Sequence, residues 1–149
     1  MVIALRAYSS ELLPDLIGLI ASNAKSRWPE MTPLLPGDLA WQLPGSAPND
    51  NLRLCYVDDQ LLGYAWFQPP CTLLFDLADD ADDRSEALRE MLRWAELRQQ
   101  DFDPGYPFYL SLQSMTEWAQ AIRDLPQTAP EANRYLAVSY THLRAHETN

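Results

Sequence analysis

An α/β fold on a mixed sheet, antiparallel in its first half and flanked by helices, is what the order of apolar periods along this chain predicts. Three observations carry it. Two β-rich runs, 51–57 and 61–67, are joined by Asp58-Asp59-Gln60, the spacing of an antiparallel hairpin. A short alternating run, 2–8, precedes a segment with apolar residues at three- and four-residue steps. A further apolar run, 71–77, precedes a second such segment.

Val2 to Tyr8 stops at Ser9-Ser10, hydroxyls suited to capping a helix start. Leu12, Leu13, Leu16, Ile17 and Ile20 then form a stripe that predicts a helix over 11–28 packed on the sheet. Pro14 falls in its first turn, where a missing N–H is tolerated. Pro29, Pro33, Pro36, Pro44 and Pro48 crowd the following stretch and leave room for at most a short helix near 38–43. It reads as an irregular crossover, the alternative being an ordered lid over a cleft.

After the hairpin, Pro69-Pro70 ends the second run and 71–77 forms the next strand. The acidic loop Ala78-Asp-Asp-Ala-Asp-Asp-Arg84 leads into a helix over 85–100, where Asp83 and Glu86 have capping-box spacing. Leu88, Met91, Leu92 and Ala95 supply its buried stripe, with Arg89, Glu90, Arg93 and Glu96 outside. A strand over 108–112 and a short helix over 116–125 follow. Tyr135-Leu136-Ala137 opens a further strand.

Residues 138–148 resemble a translated frame of a transposon-based sequencing adapter. One domain over 1–137, incomplete at its C-terminal end, and a non-native tail over 138–149 are therefore expected. Both histidines, His142 and His146, fall in that tail. Their spacing would put two imidazoles on one helical face, as in a zinc pair, but a foreign origin argues against a metal site.

The chain has 149 residues, 47% of them hydrophobic, with five Trp, seven Tyr and four Phe, enough for one packed core. Its net charge of −10 repels phosphate backbones and anionic lipid, so neither nucleic acid nor a membrane is an expected partner. No apolar run approaches the ~20 residues of a bilayer span, and the opening residues lack the features of a secretory leader. A cytoplasmic location is the expectation. In that compartment Cys55 and Cys71 are expected as reduced, buried thiols rather than a bridge. Neither has a nearby His or Lys to activate it as a nucleophile.

Over residues 1–136 the element order resembles that of the GNAT superfamily of acyl-CoA-dependent N-acetyltransferases. The resemblance is carried by Ala4-Leu-Arg-Ala-Tyr8, Gln60-Leu-Leu-Gly-Tyr-Ala-Trp66 and Leu73-Leu-Phe-Asp-Leu77 ahead of the 85–100 helix. It implies a fourth strand that splays from the fifth and binds the pantetheine arm of acetyl-CoA through its backbone. It also implies a loop and helix N-terminus that hold the pyrophosphate. On this chain Phe75 and Leu77 would meet pantetheine, and Asp83, Arg84, Ser85 and Glu86 would surround the pyrophosphate. A small-molecule amine is the implied acceptor, and an acidic cleft would suit a cationic one.

The chain departs from the family in its phosphate loop, which has no glycine and four carboxylates. At ~5 Å and an effective dielectric near 20, each of those charges opposes an anion by about 3 kcal/mol. The family's acid, a Tyr on the helix after the fifth strand, has no counterpart; Tyr135 and Tyr140 do not suit the role. No catalytic residue is assigned. Asp76 could act as a base by position or be a solvated strand-end carboxylate. The alternative to an acetyltransferase fragment is a non-catalytic module that packs on an active second GNAT domain of the parent chain. A further alternative is an unrelated α/β binding domain.

Overall fold

The computed structural model describes residues 2–28, 34–43, 49–69, 72–78, 84–102, 108–112 and 135–139. Six strands form one sheet in chain order: β1 (Ile3–Tyr8), β2 (Asn49–Val57), β3 (Gln60–Gln68), β4 (Thr72–Leu77), β5 (Phe108–Leu112) and β6 (Tyr135–Ser139). The first four are antiparallel, and β5 and β6 add in parallel. This is the expected mixed α/β architecture. The change of polarity falls where a helical crossover replaces short turns, as a parallel neighbour requires.

Helices cover both faces. A single 3₁₀ turn (Ser10–Leu12) feeds α1 (Leu13–Arg27), and α2 (Pro36–Gln42) supplies the short helix that the proline-rich stretch allows. Pro36 sits in the first turn of α2, and the Asp38 carboxylate accepts the Leu35 N–H at 2.8 Å, closing that helix start. These helices bury Leu16, Leu19, Ile20 and Leu39 against Leu52, Leu54, Tyr56, Tyr64, Trp66 and Leu74. Helix α3 (Arg84–Phe102) packs Leu88, Met91, Leu92 and Ala95 on the opposite layer, with Cys55, Ala65, Phe67, Leu73, Phe75 and Leu77. Strands β2 to β4 are covered on both sides, which is why they read as near-continuous apolar runs.

Ile17, expected in the α1 stripe, is 38% exposed, and Leu19 takes the inward position instead. The buried line of α1 runs Leu16, Ile20, Asn23, Arg27, so the helix is rotated away from Ile17 to bring two polar residues over the sheet.

The β2–β3 turn places Asp58 and Asp59 at φ of 49° and 67°, the left-handed pair that matches strand twist in a two-residue hairpin. A register shift between Cys55 and Tyr56 leaves Leu62 as the extra residue of β3. Strand β6 takes in Val138 and Ser139, two residues of the segment assigned to a tail. The proposed helix over 116–125, the residues 140–149 with both histidines, and Cys71 lie outside the described residues.

Candidate functional site

The C-terminal end of β4 carries Phe75, Asp76 and Leu77, three of the residues singled out from the sequence. Its ladder with β3 runs through Gly63↔Leu77, and among the described residues its ladder with β5 comprises Thr72↔Tyr109, Leu73↔Leu110 and Leu74↔Ser111. The N–H of Ala78 donates to Leu62 O at 2.8 Å, so Leu62 and Ala78 form a hydrogen-bonded pair across the antiparallel ladder. Pairing alternates along such a ladder. Tyr64↔Asp76 is therefore also hydrogen-bonded, while Gly63↔Leu77 and Ala65↔Phe75 are not. The backbone groups of Phe75 and Leu77 accordingly point to the β5 side of the strand.

The side chains of Phe75 and Leu77 turn into the α3 layer and are 2% and 0% exposed, so any ligand at β4 would meet their backbone and not their side chains. Arg84, Ser85 and Glu86 form the first turn of α3. The Glu86 carboxylate is paired there with Arg89 at 3.3 Å. Asp83 and its neighbours, 79–83, lie outside the described residues.

Asp76 differs from its expected setting. Rather than a solvated strand-end carboxylate, it is 2% exposed on the α1 face of the sheet. Arg27 Nη1 lies 2.8 Å from each of its oxygens, and Asn23 Nδ2 donates to Oδ2 at 3.0 Å. The N–H of Leu77 donates to Oδ1 at 2.9 Å. Burial pushes the Asp76 carboxyl above its ordinary value, opposed by the Arg27 charge and by the donors on its oxygens. The same α1 side chains reach one residue further: Arg27 Nη2 at 2.8 Å and Asn23 Nδ2 at 3.3 Å both donate to Leu77 O. Asn23, Arg27, Asp76 and the Leu77 peptide thus form one buried polar cluster joining α1 to β4.

Beside it, across the Tyr64↔Asp76 pair, Tyr64 is fully buried and its hydroxyl has no hydrogen-bond partner among the described residues. Burial, reinforced by the Asp76 charge, raises that phenol well above its usual range and keeps it neutral. Sequence reading missed Asn23, Arg27 and Tyr64. The available signal was the phase of Asn23 and Arg27 with Leu16 and Ile20.

Gly63 permits the close approach of β3 to β4 here. A Cβ at this position would lie 2.4 Å from Leu77 Cδ2 and 2.5 Å from Asp76 O. The non-hydrogen-bonded pairing brings opposite Cα atoms closest at this point, leaving no room for a side chain.

Two other features lie away from this strand end. A cavity of about 300 Å³ at the far edge of the sheet is lined by Val2, Ala4, Arg6, Tyr56, Asp58 and Asp59. Its Arg6 is already committed, paired with Asp59 at 2.7 Å and stacked 4.1 Å above the Tyr56 ring. Cys55 is buried, and its thiol is pushed up to about 11 by burial and then by the Glu90 charge, the opposite of an activated nucleophile. Among the described residues there is no cluster of His, Cys, Asp and Glu that could hold a metal ion, and no helix long and apolar enough to cross a membrane.

No protein-family model matches this chain, and no curated protein matches it. Among solved structures the chain is similar to the crystal structure of "a putative acetyltransferase" from Pyrococcus horikoshii, with 13% sequence identity and a TM-score of 0.41. The similarity covers 64% of this chain and 35% of the other, so the chain spans about a third of that protein's length.

Proposed function

We propose that this chain is an acyl-CoA-binding module of the GNAT type, from a protein that transfers the acetyl group of acetyl-CoA to a small-molecule amine. The supporting observation is that β4 continues to Leu77, three residues beyond its described pairs with β5, and turns the Leu77 backbone groups to the β5 side. A strand edge of this kind accepts an extended, amide-bearing ligand as an added strand. The pantetheine arm, with two amides in a linear chain, has that chemistry. The first turn of α3 follows one loop after the strand, and the positive end of a helix dipole favours an anion.

In the transfer, the acceptor nitrogen would attack the thioester carbonyl; the C–N bond would form as the C–S bond breaks, and the proton lost from nitrogen would balance the one taken up by the departing CoA thiolate. Asp76 is poorly placed to take that proton, because both of its oxygens already accept from Arg27, Asn23 and the Leu77 N–H.

A second reading, a non-catalytic module that supports an active second GNAT domain, is favoured by the sequence of the loop that the resemblance assigns to the phosphate, which carries Asp79, Asp80, Asp82 and Asp83 and no glycine. Titration calorimetry with acetyl-CoA separates the two. Saturable heat is expected for the binding module, and none at millimolar ligand would exclude it in favour of the support role.

A further inference from the structure

The two backbone groups of Leu77 face the β5 side of β4, beyond the pairs with β5 among the described residues, yet neither is open. The N–H donates to the Asp76 carboxylate at 2.9 Å, and the carbonyl accepts from Arg27 at 2.8 Å and Asn23 at 3.3 Å. Side chains from α1 and from the strand itself therefore occupy the positions that a ligand strand or a longer β5 would take. We infer that Asn23, Arg27 and Asp76 are a self-capping clamp on the end of β4, one that an extended ligand must displace before it can pair with Leu77.

Three features fit a clamp better than an ordinary helix-to-sheet contact. The cluster is buried, so its bonds are not screened by water, and the Arg27 and Asp76 side chains are 6% and 2% exposed. It places a full charge pair at a strand end, where a Leu or Met would fill the volume without desolvation cost. Each of its three side chains either bonds the Leu77 peptide or orients one that does. Asp76 takes the N–H, Arg27 and Asn23 take the carbonyl, and Arg27 and Asn23 both hold Asp76 in place. Without the clamp, an edge with buried, unpaired peptide groups would be costly in the free protein. With it, the free protein is satisfied and the ligand has a competitor.

The competitive part of this inference rests on the acyl-CoA reading; the capping part does not. The test combines amide hydrogen exchange with acetyl-CoA calorimetry, on the wild-type chain and on the double variant Arg27→Met with Asp76→Leu. That variant replaces the buried pair with apolar groups of similar volume, leaving no uncompensated charge. In the wild type, the Leu77 amide is expected to exchange at least about tenfold more slowly than an unprotected one. The double variant should lose that protection and bind acetyl-CoA about tenfold more tightly, the effect of one competing hydrogen bond removed.

Unprotected exchange at Leu77 in the wild type, or unchanged exchange in a folded variant, overturns the clamp. Equal acetyl-CoA affinity in the two proteins overturns the competition. If exchange responds as expected and neither protein binds acetyl-CoA, the cap stands and the acyl-CoA reading fails. Should the double variant not fold, wild-type exchange at Leu77 decides the cap. The Asn23 side-chain amide resonance then decides the competition: it must shift as acetyl-CoA is added, and a fixed resonance under saturating ligand overturns it.

Discussion

Arg27 Nη1 sits 2.8 Å from both oxygens of Asp76, the one buried charge pair that ties α1 to β4 among the described residues. Removing one partner strands the other in an apolar layer. Arg27→Ala is therefore expected to cost about 3–5 kcal/mol of unfolding free energy. Urea denaturation measures it, and a loss below about 1 kcal/mol would show that the pair is hydrated or replaceable.

Tyr64 carries a buried hydroxyl that no described residue satisfies. Tyr64→Phe removes that liability and little volume, so stability should stay level or rise by up to about 1–2 kcal/mol. A thermal melt checks the sign. A clear drop would mean that the hydroxyl has a partner, such as ordered water.

Gly63 faces Leu77 across a pair with no room for a methyl group. Gly63→Ala should destabilise by about 1–3 kcal/mol as β3 and β4 are pushed apart. Gly18 has open space around it, and Gly18→Ala in α1 is the matched control. It should stabilise by about 0.5–1 kcal/mol.

The Cys55 thiol gives stability a defined alkaline limit. Its pKa is pushed up to about 11 in the folded chain from an ordinary value of 9.0. The folded state therefore holds this proton over a range where the unfolded state has lost it. The associated stability is fully present below pH 9 and falls away as pH rises towards 11, by up to about 2–3 kcal/mol. Tyr8, Tyr56 and Tyr64, all raised by burial, act in the same direction. Chemical denaturation at pH 8, 10 and 11 should show a shallower decline for Cys55→Val than for the wild type. Parallel curves would contradict the buried-thiol assignment.

Much of the sheet was legible from the chain because alternation, turn residues and helix stripes agree with one another along 49–102. Hairpin, strand and helix followed from Asp58-Asp59, Pro69 and the Leu88-to-Ala95 stripe without tertiary information. The buried cluster was not legible in that way. A base or a solvated strand-end carboxylate is what its position alone offers for Asp76, and neither describes its buried setting. Its neighbours Leu73, Leu74, Phe75 and Leu77 argued otherwise: a strand covered on both faces has no wet side for a lone carboxylate. The partner then had to come from another element, and Asn23 and Arg27 were in phase with Leu16 and Ile20 to provide it. Ile17 misled for a related reason. A stripe drawn from apolar residues alone rotates the helix away from the polar pair. The helix expected over 85–100 from its apolar stripe and capping-box spacing is α3, which runs from Arg84 to Phe102.

The change of strand polarity between β4 and β5 also orders the molecule in time. Strands β2 and β3 meet across a two-residue turn, so their association requires very little chain entropy; β5 pairs with β4 only by closing a connection that includes the whole of α3. The hairpin and its flanking helices are thus the natural nucleus, and the parallel strands condense onto it late. In kinetic terms, substitutions at Leu54 or Phe67 should slow refolding.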